Sequence, residues 1–160
     1  MNDTFTTKTL DAVRDGEELL ELLDSGTIFP LVVTGNSMLP FLKNGRDTVL
    51  LQKSDTLKRG QILFFRRRNG MFILHRIRKI YPDGRILVNG DAQSWCETVM
   101  PDQAAAVVRG IVRNGKITDP DRLWIRLRDA FWYPTRPVRP WIFRVVTFFR
   151  RLFKSHGGSI

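Results

Sequence analysis

The apolar positions of the chain change their spacing twice. Over residues 9–24 (TLDAVRDGEELLELLD), Leu10, Val13, Leu20 and Leu23 fall near one face of a helix, with acidic side chains opposite. Thr9 suits the N-cap, Ser25-Gly26 closes the helix, and Gly16 weakens it from within. This helix is expected to pack on the body as a lid. From Thr27 to about Ile117 the pattern becomes strand-like: TIFPLVVTG, TVLLQ, QILFFR, MFILHRIRKI, RILVNG and AAAVVRGIV are short and rich in β-branched and aromatic residues. NGRD, KRG, RRNG, YPDG and RNGK separate them as turns, with hairpins expected at Arg68-Asn69-Gly70 and Pro82-Asp83-Gly84. After Asp119-Pro120, residues 121–132 suit an amphipathic helix. The prolines of YPTRPVRP should then break any helix, and WIFRVVTFFRRLF can resume one, with Arg144, Thr147 and Arg151 on a narrow polar stripe.

The pattern predicts a mainly β protein, its coiled antiparallel sheets forming a partial barrel. An amino-terminal helix precedes the sheets and amphipathic carboxy-terminal helices follow. Three parts are expected: an acidic helix over 1–26, a β domain over 27–118 and a basic aromatic tail over 119–160.

Charge sharpens this division. The 160 residues carry a net charge of +10. Residues 1–24 hold 2 basic and 7 acidic side chains, residues 25–118 hold 15 and 6, and residues 119–160 hold 9 and 3. Such an excess suggests an anionic neighbour, either lipid headgroups or nucleic acid. Arg66, Arg67 and Arg68 form a further basic run, but no nucleic-acid motif accompanies it, so nucleic acid is not the expected partner. Trp141, Phe148 and Phe149 with Arg144, Arg150 and Arg151 suit a helix lying on an anionic membrane surface. The alternative is that Trp124, Trp132, Trp141, Phe148 and Phe149 pack on the β domain, and the two readings stand level. Cys96 is the only cysteine, which excludes an intrachain disulfide and fits a reducing, cytoplasmic setting. No signal-peptide apolar run opens the sequence, and no stretch has the roughly 20 apolar residues of a membrane-spanning helix. No cofactor or metal is expected.

Candidate chemistry begins with TGNSMLPFL, residues 34–42. Gly35 permits a tight turn and Pro40 stiffens the chain beyond it, so Ser37 suits a rigidly displayed hydroxyl. A serine in a Gly/Pro turn is by itself more often structural. A nucleophilic serine needs a base. Only two histidines exist: His156 lies in a Gly/Ser tail, whereas His75 lies on a strand face shared with Met71, Ile73 and Ile77. Burial there keeps an imidazole neutral near pH 7. Asp91 and Glu97, in VNGDAQSWCET, are candidates to orient it.

Taken together, these residues resemble the type I signal peptidase family and the fold it shares with SOS-response repressor peptidases. The likeness runs in order over roughly residues 31 to 113. Ser37-Met38-Leu39-Pro40 resembles the Ser-x-Met-x-Pro nucleophile motif, and Arg59-Gly60-Gln61-Ile62 the Gly-Asp-Ile strand start, with Gln61 in place of Asp. His75-Arg76-Ile77 resembles the His-Arg-Val box of the Ser-His branch, Asn89-Gly90-Asp91 the later Gly-Asp motif, and Val108 to Val112 the closing Gly-x-Val strand. The resemblance implies a serine endopeptidase on a coiled β fold, with Ser37 as nucleophile and His75 as general base. It leaves Asp91 and Glu97 both open as the third member, with Asp91 preferred for its closer match. It implies substrates with small residues before the scissile bond. Gly35 stands where many signal peptidases place an oxyanion-donating serine, so the Ser37 N–H and the Asn36 side chain are the expected donors. The amino-terminal membrane anchor of ordinary signal peptidases has no counterpart here, which argues for a soluble or peripheral enzyme.

The competing expectation is a catalytically inactive binding module on the same fold, using its basic aromatic tail to bind a membrane or a protein. Self-cleavage, as in repressors, is not expected: no Ala-Gly bond lies upstream of Ser37, and no helix-turn-helix is read before the β domain.

Overall fold

The computed structural model describes residues 16–121, 131–142 and 144–145. Helix α1 (Gly16–Asp24) leads into strands β1 (Phe29–Val32), β2 (Thr48–Gln52), β3 (Ile62–Arg66), β4 (Phe72–Ile80), β5 (Ile86–Asn89), β6 (Glu97–Val99), β7 (Ala104–Arg113) and β8 (Lys116–Thr118). All eight belong to one antiparallel sheet of spatial order β1-β2-β7-β3-β4-β5-β6, with β8 on β7. The sheet does not close on itself. The mainly β architecture with an amino-terminal helix is as the apolar pattern predicts.

Three register shifts bend the sheet, between Leu50 and Leu51, Phe64 and Phe65, and Ile77 and Lys79. An inserted residue increases local twist, and the coiled sheet buries both faces. Alternation along β3 sends Ile62 and Phe64 into one apolar cluster with Met38, Leu42 and Leu51. It sends Leu63 and Phe65 into a second with Ile77, Ile86 and Val88.

Each of the six predicted segments contains a strand. The hairpin turns close at Gly70 (φ +85°) and Gly84 (φ +84°). Two strands were not expected. β6 is three residues long, inside a stretch that reads as loop, and β8 follows the Asn114-Gly115 turn.

In α1 the buried positions are Gly16, Leu19 and Leu23, with Leu20 only half-buried. Thr9, Leu10 and Val13 lie outside the described residues. Gly16, a liability for an isolated helix, has a packing reason: a Cβ there would come within 2.9 Å of the Phe72 ring. Phe72 is itself stacked on Phe64 at 5.0 Å.

In the tail, YPTRPVRP interrupts the α-helical pattern as expected, and the interruption is a 3₁₀ helix. Residues 131–132 are helical, Tyr133–Val138 form a 3₁₀ helix, and 139–142 are helical again. Proline fixes φ near the 3₁₀ value, and its missing N–H costs little in so short a run. Trp124, Phe148, Phe149, Arg150, Arg151 and His156 lie outside the described residues.

The segment between β1 and β2 carries Ser37 and is stapled by Asp47. This carboxylate is fully buried and accepts from the Arg46 and Arg113 guanidiniums and from the Lys43 N–H. Arg113 also donates to the Phe41 carbonyl at 2.8 Å. Burial alone would raise the Asp47 pKa, but these donors override it and hold the group far below the usual carboxylate range. A depressed folded pKa stabilises above the unfolded value and ceases to do so as pH falls through the folded one. Asp47→Asn should therefore be less stable at pH 7, by roughly 3 kcal/mol for a broken buried ion pair. The gap to wild type should narrow below about pH 4, the unfolded carboxylate value. Denaturant melts at both pH values check this, and a gap that widens in acid contradicts it.

Candidate active site

At the end of β1 the chain is pinned by Val33 N–H to Asp47 O (2.9 Å) and Gly45 N–H to Val33 O (3.0 Å). Gly35 then adopts φ +80°, a conformation that costs a side-chain-bearing residue. Turn bonds follow, from Leu39 N–H to Asn36 O and from the Phe41 and Leu42 N–H groups to Met38 O. Met38 is 2% exposed in the first apolar cluster. Its burial ties down the turn and leaves the neighbouring Ser37 half-buried at the surface. The Ser37 carbonyl accepts the Ala92 N–H at 2.8 Å, so the serine turn rests on the loop after β5.

His75 lies in the middle of β4 and is 1% exposed. Its ring sits between Phe65 (5.9 Å between centroids) and Trp95, which meets it edge-on at 6.0 Å. Nδ1 is 2.7 Å from Oε1 of Glu97, at the start of β6, close enough for a charge contact but not aligned as a hydrogen bond. Arg67 grips both Glu97 oxygens, at 2.7 and 2.8 Å. Burial pushes the imidazole pKa down. Glu97 pulls it up, Arg67 pushes it down again, and the net result lies below the ordinary histidine value. His75 is therefore neutral at pH 7, which is the form able to accept a proton.

The register links this histidine to the serine. Arg76 is opposite Asn89, so the next residue, Gly90, comes level with His75. Gly90 is also where the serine turn touches: a Cβ there would lie 2.8 Å from the Ser37 carbonyl oxygen and 2.6 Å from Gln93 Oε1. Ser37 and His75 are thus separated by a single loop backbone, a spacing on the order of two strand widths, about 10 Å between main chains. No hydrogen bond joins the Ser37 and His75 side chains.

A profile of the Peptidase S24-like family matches residues 3–113. The chain belongs to that family. It takes in both SOS-repressor-like and signal peptidase-like peptidases, so the fold is of serine-peptidase type. No curated protein matches the chain.

Within this S24-like domain the two candidate carboxylates have different surroundings. Glu97 contacts His75. Asp91, fully buried, is held by Arg76 (2.7–3.1 Å) and Arg78 (2.8 Å). Arg76 also donates to the Gly60 carbonyl and faces the Phe41 ring at 5.5 Å. Gln61, in place of an aspartate, caps the Lys58 N–H through Oε1 and reaches Asp121 through its amide. Asn36 is exposed beside the serine, and Pro40 is exposed after a cis Leu39–Pro40 bond. Among the described residues no group of three His, Cys, Asp or Glu could hold a metal ion.

Trp95 was not picked out from the sequence, and Arg67 was read only as part of a basic run. A signal for Arg67 existed: alternation beyond β3 puts it on the face of Leu63 and Phe65, which is the face of His75, while Arg66 and Arg68 point to solvent.

A cleft of about 110 Å³ adjoins Ser37. Residues 31–35 form one wall and residues 72–74 another, and Leu19 and Gly16 of α1 close one side. Ser37 lines this cleft and His75 does not: alternation along β4 turns the imidazole toward Phe65, on the face opposite Phe72 and Leu74.

The Arg76–Asp91 pair makes a sharp prediction. Asp91→Ala leaves two guanidiniums facing a vacated buried site and should cost about 3–5 kcal/mol. Gly90→Ala should cost about 1–3 kcal/mol, because its Cβ displaces the Ser37 carbonyl. Thermal melts of both variants test this, and wild-type stability in either contradicts the account of that residue.

Proposed function

We propose that this chain is a serine endopeptidase of signal-peptidase-like type, with Ser37 as nucleophile, His75 as general base and Glu97 as the group that orients the base. The contact between His75 Nδ1 and Glu97 carries the reading. With its proton on Nδ1, the imidazole presents Nε2 as an acceptor. Nε2 takes the proton as Ser37 Oγ attacks a peptide carbonyl, and the imidazolium returns it to the leaving amine. The resulting acyl-enzyme is hydrolysed by water through the same base. Arg67 keeps Glu97 in place and restrains how far that carboxylate raises the base. The Ser37 N–H, taken by no backbone carbonyl among the described residues, serves as one oxyanion donor, and the Asn36 side chain as the second.

The substrate on this reading is an extended peptide lying along the cleft, held by main-chain hydrogen bonds. It would place small apolar side chains in the space bounded by Leu31, Met38, Phe64 and Leu74. The chain's one cysteine suits a cytoplasmic setting for this activity.

A fluorophosphonate probe and a peptide-cleavage assay test the mechanism. Ser37→Ala should abolish labelling, His75→Ala should slow it by about 10²–10⁴-fold, and Glu97→Gln should slow it by roughly 10²-fold. Equal labelling of all four proteins would leave only a binding module on this fold.

The pH profile gives a second check. Activity needs neutral His75, whose pKa is lowered, so the rate should hold through neutrality and fall only below the ordinary histidine value of about 6.5. Arg67→Met removes a cation that opposes protonation and should move that acid limb to higher pH. A limb that moves down, or stays fixed, contradicts the role given to Arg67.

A further inference from the structure

The tail beyond β8 has two working sides. Trp132, Thr135, Arg139 and Ile142 are buried or half-buried, spaced three, four and three residues apart. Trp132 donates its indole N–H to the Asp91 carbonyl at 2.6 Å and meets Phe41 edge-on at 6.1 Å. Arg139 is 0% exposed. It donates to Asn89 Oδ1 (3.1 Å), to the Gly90 and Gln93 carbonyls (3.4 and 2.7 Å) and to Trp132 O (3.1 Å). The inner side of the tail therefore grips the 89–93 loop, against which the Ser37 turn rests.

The adjacent side is apolar and open to solvent. Phe131 is 81% exposed, Val138 49%, Trp141 68% and Val145 50%. Val138, Trp141 and Val145 recur at three- and four-residue spacing on one side, and Phe131 is exposed at the other end of the 3₁₀ turns. Arg144 stacks on Trp141 with its guanidinium carbon 5.8 Å from the ring. Residues 119–160 hold 9 basic side chains against 3 acidic ones.

We propose that this tail lies on an anionic lipid bilayer, with Phe131, Val138, Trp141 and Val145 in the headgroup–acyl boundary and its cations on the headgroups, and that lipid contact thereby steadies the 89–93 loop behind Ser37. Aromatic rings beside arginines on one side of a helical segment are the chemistry of an interfacial element. No helix among the described residues is long and apolar enough to cross a membrane. Charge argues against a second copy of the chain, since +10 would face +10. Nucleic acid would meet the arginines but would leave Val138 and Val145 without stacking partners. The lipid contact stands independently of the catalytic reading. Only its consequence for Ser37 rests on that reading.

Flotation of the full chain with phosphatidylcholine vesicles, with and without phosphatidylglycerol, tests the docking. Binding should be at least about tenfold stronger to the anionic vesicles, given on the order of 1 kcal/mol per basic residue at such a surface. The double variant Val138→Glu/Trp141→Glu should keep its melting temperature and lose at least tenfold in vesicle binding. Amide exchange over residues 89–93 should slow on anionic vesicles in wild type and not in the variant. Equal flotation with both vesicle types, unchanged binding by the variant, unchanged exchange over 89–93, or a wild-type dimer that the variant abolishes without any vesicle binding would each overturn the proposal.

Discussion

The buried ion pair between Arg76 and Asp91 is the constraint on which the rest of the site depends. Two charges out of water are tolerated only when the geometry and the remaining hydrogen bonds are good. Here both conditions hold: Arg76 spends its donors on Asp91 and the Gly60 carbonyl, and Asp91 takes a second guanidinium from Arg78. The pair joins β4 to the loop after β5 at the residue that follows His75 on one side and Gly90 on the other. A shift of one strand along the other would strand both charges. The register that brings Gly90 level with His75 is thus held by electrostatics as well as by the sheet's own hydrogen bonds.

A second ion pair, between Arg67 and Glu97, does for His75 what the first does for the backbone. Glu97 could sit against His75 only at the cost of raising the imidazole pKa, which would favour the cation and spoil a base at neutral pH. Burial between Phe65 and Trp95 disfavours the charged ring most, and Arg67, which holds both carboxylate oxygens and shares Oε1 with His75, opposes that rise too. On the proposed reading of His75 as base, the site keeps an orienting carboxylate together with a neutral histidine.

The sequence carried the strands well because their alternation is strong and their turns contain glycine where φ must be positive. It also named Ser37, His75 and both carboxylates. It could not separate the carboxylates, since that depends on which of several arginines, tens of residues away, each one meets. Asp91 has the tighter local motif, yet Arg76 and Arg78 hold it; Glu97, six residues on, reaches His75 through β6, a strand too short to leave a periodic signal. Gly16 and Gln61 show the same difficulty. One reads as a weak helix position and the other as a departure from a motif, and each is explained by a neighbour, Phe72 or Lys58, that no local pattern discloses.

The Ser37 turn is supported from three directions, and they differ in kind. Asp47 fixes the segment from below through charge, Met38 through burial, and the Asn89–Ala92 loop through the Ser37 carbonyl itself. The first two are internal to the sheet domain. The third is shared, because the same loop is gripped from outside by Trp132 and Arg139 of the tail. Gly90 is where these demands meet: it must admit the Ser37 carbonyl on one side and Gln93 on the other, and there is no room for a Cβ. A loop so tightly packed transmits displacement instead of absorbing it. Whatever seats or loosens the tail therefore acts on the serine's own backbone, through two residues whose side chains never reach the cleft.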